Sequence, residues 1–196
     1  MRQLKTTNIL TMKKLLILVS TTLTLTISGQ DKYNYVHYNK LTEIKGTDFV
    51  IASIENYGKG FLSKGEHLLF INTKDGQTKQ TDFPKDAQIY KVEQIKIDSL
   101  KINSVLVVAK TVNTSGDKGI GWKDPEQLFI YSPDGQKLSQ LTDNKFFART
   151  WVINSHTGAI VVTGHWDTNN NGEYDKTDKN EILVFDLVTY KLVSKI

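Results

Sequence analysis

The residues best suited to chemistry are the oxygen-bearing side chains of a polar segment, residues 167–178. Calcium is a hard cation that takes six to eight oxygen ligands, and short side chains at alternate loop positions can converge on one ion. A twelve-residue calcium loop places its ligands at positions 1, 3, 5, 7, 9 and 12, with glycine at position 6 for the turn. The corresponding residues are Asp167, Asn169, Asn171, the Glu173 carbonyl, Asp175 and Asp178, with Gly172 at the turn. The pattern predicts a structural calcium site.

This loop resembles the calcium loops of dockerins and EF-hand proteins. Asp178 occupies position 12, where EF-hands prefer glutamate and dockerins use aspartate. Strand patterns rather than helix patterns flank the segment, so the resemblance covers the loop and not the helix pair. The alternative is an ordinary solvated turn, because Asp, Asn and Gly are the residues that turns use in any case.

The segments that must position this loop have the composition of β-strands. Short runs of β-branched and aromatic residues alternate with turn signals such as Lys74-Asp75-Gly76 and Pro133-Asp134-Gly135. No helical periodicity is found after residue 29, which indicates an all-β fold. The predicted strand cores are residues 49–52, 67–71, 105–108, 127–131, 159–162 and 182–185.

An offset of about 54 residues, the repeat shift, relates the two C-terminal thirds of the chain, and a fixed period of this kind indicates a repeat architecture. With that shift and no gaps, Val107-Val108 falls on Val161-Val162, and Asp124 falls on Asp178. A fainter third copy begins near residue 50. A four-stranded meander repeated at such a period is typical of propeller blades. In the last copy the four strands are predicted at residues 148–153, 159–166, 181–186 and 191–195.

The preceding copy contains a counterpart of the calcium loop at residues 113–124. It keeps oxygen-bearing side chains at positions 1, 3, 5 and 12 but has Lys118 where the glycine should be. We predict a decayed copy that does not bind metal. Its oxygen-bearing residues are Asn113, Ser115, Asp117 and Asp124.

Residues 158–192, and more faintly residues 104–138, resemble blades of TolB-type β-propellers. Such blades carry a loop rich in Asp, Asn and Gly before a strand like Leu183-Val184-Phe185-Asp186-Leu187. The resemblance implies about three four-stranded propeller-like blades. Because closed propellers need about four to eight blades, we expect a stack that stays open or closes by association. The alternative is a strand–turn alternation that mimics a repeat.

The N-terminal segment, residues 1–29, has the pattern of a secretory signal peptide. Lys13 and Lys14 precede an apolar run, residues 15–27, and small residues follow it at Ser28 and Gly29. A run of about 13 residues is too short to span a membrane, which takes about 20. We predict a signal peptide at residues 1–29 and one β-repeat domain at residues 30–196. The expected location is secreted or periplasmic, with no membrane span in the mature chain. Met12 is an alternative start, and an uncleaved anchor or a buried strand is the alternative interpretation.

Charge and cysteine content exclude several classes of function. The chain has 25 Lys and Arg against 21 Asp and Glu, and the signal segment holds four of the basic residues and no acid. The mature chain therefore carries 21 charges of each sign, which argues against a nucleic-acid partner. The absence of cysteine excludes disulfides, thiolate metal sites and lipid attachment.

No catalytic motif stands out. The four histidines, His37, His67, His156 and His165, lack zinc-site spacing, and neither a Gly-x-Ser-x-Gly elbow nor a phosphate loop is present. The sequence favours a binding or scaffold module for an unknown protein or glycan ligand, with Trp122 as the exposed aromatic candidate. The alternative is a subunit or fragment of a secreted β-propeller enzyme, a hydrolase or lyase, that lacks its own complete active site.

Three blades would leave the outer faces of the first and last sheets uncovered. The last strand, residues 190–196, is apolar to its end, with Leu192, Val193 and Ile196. Exposed faces and edges of this kind are commonly covered by another copy, so we predict a homodimer through the first and last repeats. The alternative is a monomer in which residues 31–43 cover the exposed face.

Overall fold

Short antiparallel strands make up the chain in the computed structural model, which describes residues 38–54 and 67–196. The strands are β1 Lys40–Glu43, β2 Phe49–Ser53, β3 His67–Asn72, β4 Thr78–Asp82, β5 Gln88–Ile97, β6 Ile102–Lys110, β7 Gln127–Tyr131, β8 Leu138–Gln140, β9 Phe146–Asn154, β10 Ala159–Trp166, β11 Lys179–Asp186 and β12 Lys191–Lys195. The helical content of these ranges is a single 3₁₀ turn, Asp98–Leu100. The predicted all-β class is confirmed. The predicted signal peptide and His37 lie outside the described residues.

The strands form three four-stranded sheets, each a meander in which every strand pairs with its neighbours in sequence. The orders are β1-β2-β3-β4, β5-β6-β7-β8 and β9-β10-β11-β12. The predicted count of three blade-like sheets is confirmed, and the sheets do not close on themselves. In the described ranges, the structure contains no helix long and apolar enough to cross a membrane.

The two central strands of the middle sheet, β6 and β7, are buried on both faces, because they supply side chains to two cores. Val107 and Phe129 belong to the core shared with the first sheet. Leu106 and Leu128 belong to the core shared with the third sheet. This double burial explains why β6 and β7 are almost continuously apolar, where a half-exposed strand would alternate.

The strand β10 departs by one position from the ungapped repeat shift. Val107 pairs with Phe129 in the second sheet, and Val162 pairs with Leu183 in the third. The repeat shift carries Phe129 onto Leu183, so the structural counterpart of Val107 is Val162 rather than Val161. The reason is the two-residue period of a strand. Val162 points into the core while Val161 points to the opposite face, so a slip of one position would exchange the two.

The outer face of the third sheet carries a row of adjacent valines. Val152 pairs with Val161, and Val161 pairs with Val184, so the three lie side by side on the face opposite the core. Val152 is exposed, and Val161 and Val184 are half-buried. This apolar face is where the predicted homodimer contact would lie, and the dimer stays a prediction.

Candidate metal centre and the adjoining pocket

The predicted calcium loop packs against its counterpart from the neighbouring sheet. The Thr114 hydroxyl donates to the Gly172 carbonyl at 3.3 Å, and the Lys123 ammonium pairs with the Glu173 carboxylate at 2.6 Å. Gly172 has φ +76°, and a Cβ built on it would lie 2.5 Å from the Thr114 carbonyl carbon. Only glycine combines a positive φ with the absence of a Cβ at this close approach. The two loops therefore pack directly against each other at this end of the second and third sheets.

Asp167, at position 1, shapes the start of the loop. Its two carboxylate oxygens accept the Asn171 and Gly172 amides, each at 3.0 Å, and the residue is only 8% exposed. Asn170, which lies between Asp167 and Asn171, has φ +58°, a conformation that asparagine tolerates better than most residues. Asp167 therefore holds the chain reversal that the glycine at position 6 permits.

The side chains at positions 3, 5 and 9 meet inside the loop. Asn169 and Asn171 each donate a side-chain N–H to the same oxygen of Asp175, both at 2.8 Å. The other Asp175 oxygen accepts the Thr177 hydroxyl and amide. These Thr177 hydrogen bonds, with that of Asn169, lower the pKa of Asp175 to about 2. Asp175 is therefore an anion at neutral pH with two amide groups gathered on it.

Asp178, at position 12, faces the backbone. Its oxygens accept the Thr168 amide at 3.0 Å and the Asp175 amide at 2.9 Å. The Glu173 carboxylate is turned toward Lys123, and the carbonyl of Glu173 stays the predicted ligand at position 7. Across the described ranges, no group of three or more His, Asp or Glu side chains is arranged to hold a metal ion. The structure thus brings Asn169, Asn171 and Asp175 together and leaves Asp167 and Asp178 bonded to amides.

The counterpart loop uses the same closing device. Asp124 accepts the Thr114 amide at 2.8 Å and the Gly121 amide at 2.7 Å, and the repeat shift carries these donors onto Thr168 and Asp175. Burial alone would raise the pKa of Asp124, but the amide hydrogen bonds outweigh burial and lower it. Because position 12 serves the backbone in both loops, it does not distinguish a calcium loop from a turn. Positions 3, 5 and 9 distinguish the two loops, because only in the 167–178 loop do amide side chains at these positions contact a carboxylate.

A pocket of about 410 Å³ lies beside the paired loops. Its described lining comes from β6, β9, both loops and the residue before β7: Lys110, Trp122, Lys123, Asp124, Glu126, Phe147, Ala148, Arg149, Glu173 and Tyr174. Of these, sequence analysis singled out Trp122 as a ligand contact. The others were missed in that role because they lie on four separate segments, and the available signal was the position of Glu173 and Tyr174 inside the loop.

The described histidines occupy strands and turns, as expected from their positions. His67 contacts the Asp82 carboxylate at 2.7 Å across β3 and β4. His165 is buried, and its ring lies 4.7 Å from that of Phe147 and 4.2 Å from that of Tyr174. Burial, followed by the positive charge of Arg149, lowers the pKa of His165. His165 is therefore neutral at pH 7, and its ring packs against the ring of Tyr174.

Comparisons with protein families and with curated proteins gave no match. No protein-family model matches the chain, and no curated protein matches it significantly. The function of the chain is therefore inferred from the paired loops and the pocket that they border.

Proposed function

We propose that this chain is an exported β-propeller-like binding or scaffold module in which calcium stabilises the 167–178 loop. The observation that carries the metal assignment is the convergence of Asn169 and Asn171 on one oxygen of Asp175. Amide and carboxylate oxygens are ligands that calcium prefers. Here Asn169 and Asn171 present their NH2 groups to Asp175, while their oxygens accept the Asn171 and Glu173 backbone amides. Because Asp167 and Asp178 already hold the backbone path, recruiting these side chains to an ion requires side-chain rotation rather than refolding of the loop.

The supporting argument for a structural role is the position of the loop. Glu173 and Tyr174 line the pocket, and Gly172 contacts the neighbouring loop. An ion at the centre of the 167–178 loop would fix the pocket wall that Tyr174 belongs to. Calcium in this proposal orders a binding surface and takes no part in chemistry.

Calcium is expected to raise the melting temperature of the chelated protein. Weak extracellular sites have dissociation constants near 10⁻⁴–10⁻³ M, so 10 mM calcium adds about 1.4–2.7 kcal/mol to the stability. For a chain of this size that corresponds to about 3–10 °C. Differential scanning calorimetry of chelated and calcium-loaded samples at constant ionic strength measures the shift.

Two loop variants and one matched control locate the effect. Asp175→Asn removes one charge at nearly constant shape, and Asp167→Ala removes a ligand. Each is expected to abolish the calcium-dependent rise. Asp167→Ala also loses two amide hydrogen bonds, so its chelated form melts lower, and only the calcium-dependent difference is diagnostic. Asn113→Ala, at the equivalent position of the other loop, is expected to keep the full rise. An unchanged melting temperature in 10 mM calcium contradicts the site.

Export is the second part of the proposal and rests on Lys13, Lys14 and the apolar run at residues 15–27. Protein recovered from the native host is expected to begin near Gln30. N-terminal sequencing or intact-mass measurement checks this. Soluble cytoplasmic protein that retains residues 13–27 would show that no signal peptide is cleaved. Lys13→Glu with Lys14→Glu, which reverses the charge before the apolar run, is expected to reduce export.

A further inference from the structure

The pocket beside the loops contains two charged side chains whose hydrogen-bonding capacity is unused. In the described part of the chain, the Glu126 carboxylate and the Arg149 guanidinium make no ion pair and no hydrogen bond. Burial raises the pKa of Glu126, and the positive charges of Lys110 and Arg149 offset this only in part. A polar group withdrawn from water without a partner costs free energy. Glu126 is half-buried, so this cost falls on its carboxylate, whereas Arg149 is exposed and its guanidinium can bond to a ligand. A ligand that offers both donors and acceptors would satisfy the two side chains together.

The remaining charges of the pocket are already used. Lys123 pairs with Glu173, and Asp124 accepts backbone amides. Lys110 is buried, and its ammonium donates to the Gly121 and Trp122 carbonyls at 3.2 and 2.7 Å. These bonds fix the loop that carries Trp122. The polar groups left for a ligand are Glu126, Arg149 and the third proton of Lys110.

Two aromatic side chains at the pocket are exposed. Trp122 is 81% exposed, and Lys110 anchors the backbone carbonyls of Gly121 and Trp122. Tyr174 is 53% exposed, with the His165 ring behind it and the Arg149 guanidinium 4.8 Å from its ring centre. Ala148 is the one aliphatic side chain in the described lining, so the pocket offers flat aromatic faces rather than an apolar slot. An exposed tryptophan on an anchored backbone segment favours a ligand that stacks.

We propose that this pocket binds a saccharide, with Trp122 stacking on a pyranose ring, Tyr174 lining the site beside it, and Glu126 and Arg149 bonding to the hydroxyl groups of the sugar. A hydroxyl is both donor and acceptor, so neighbouring hydroxyls satisfy a carboxylate and a guanidinium together. The C–H face of the ring covers an aromatic surface. The volume lies in the range of small-ligand sites, about 300–1,000 Å³. The inference rests on the proposed binding function and commits it to a ligand class.

The test is a glycan array of neutral and acidic oligosaccharides probed with the full chain, followed by calorimetric titration of the tightest-binding oligosaccharide. Trp122→Ala and Glu126→Gln are each expected to weaken binding at least tenfold. Trp151→Phe, on β9 outside the pocket lining, is the control and is expected to leave binding unchanged. Because Trp122 is exposed, its removal is expected to leave the melting temperature almost unaltered.

Three results would overturn the saccharide assignment. One is no binding to any oligosaccharide by a chain that melts cooperatively. Another is oligosaccharide binding that survives both pocket variants. The third is binding to a peptide array that Trp122→Ala abolishes, which would make the pocket a peptide site. Calcium-dependent melting of the same samples keeps the proposals apart. If calcium still raises the melting temperature but no saccharide binds, only the saccharide proposal is refuted. If a saccharide binds but calcium leaves the melting temperature unchanged, only the calcium proposal is refuted.

Discussion

Replacing Gly135 with alanine is expected to destabilise the protein by about 2–5 kcal/mol. Gly135 lies in the turn between β7 and β8 with φ +71°, where a residue with a Cβ costs about 1–2 kcal/mol. The added Cβ would also lie 2.6 Å from Cγ of Phe70, a fully buried ring in the core between the first and second sheets. Phe70 packs against Tyr131 at 5.7 Å between ring centres, so it has little room to retreat. Urea denaturation measures the loss.

Gly76 provides the matched control for Gly135. It lies in the equivalent turn of the first sheet with φ +72°, and a Cβ there meets nothing within 4 Å. Gly76→Ala is therefore expected to cost only the backbone term, about 1–2 kcal/mol. Phe70→Leu should partly relieve Gly135→Ala, so the double variant should be more stable than the two single losses predict. Equal losses for Gly76→Ala and Gly135→Ala would show that the turn does not contact Phe70 and that the two sheets pack differently.

Much of the fold could be predicted because the strand signals are local. The predicted bounds of β10 and β12, residues 159–166 and 191–195, match the observed strands, since each is a short run closed by a turn. The strand β5 was not among the predicted apolar runs, because Lys91 and Glu93 interrupt it and pair with each other at 2.6 Å. A strand with one face in solvent gives a weaker signal than a strand buried on both faces.

Of the candidate site, only the part formed by one continuous segment could be predicted from the sequence. The spacing from Asp167 to Asp178 is written in one continuous segment, so the loop could be proposed from sequence. The pocket could not, because Lys110, Glu126, Arg149 and Tyr174 become neighbours only when the second and third sheets pack. The hydrogen bonds from backbone amides to Asp178 could not be predicted either, because an aspartate at position 12 is compatible both with a calcium ligand and with a residue that closes a turn.

Gly172→Ala, in the loop between β10 and β11, is expected to destabilise the protein by about 2–5 kcal/mol. The residue has φ +76°, and its added Cβ would overlap the Thr114 carbonyl oxygen. Backbone atoms, unlike the tip of a side chain, cannot rotate out of the way. We expect the two loops to separate, with a lower melting temperature and a smaller calcium-dependent rise. Thermal denaturation with and without calcium measures both effects.

Substitutions at Gly116 measure the cost of a positive φ without the contact with Thr114 that is present at Gly172. It lies in the counterpart loop with φ +74°, and nothing stands within 4 Å of a Cβ built there, so Gly116→Ala is expected to cost about 1–2 kcal/mol. Asparagine sharpens the comparison, because it tolerates a left-handed conformation but still carries a Cβ. Gly116→Asn should be nearly neutral, whereas Gly172→Asn should remain strongly destabilising because the overlap with Thr114 persists. If both asparagine variants are tolerated, the two loops do not touch, and the 167–178 loop does not form the wall of the pocket.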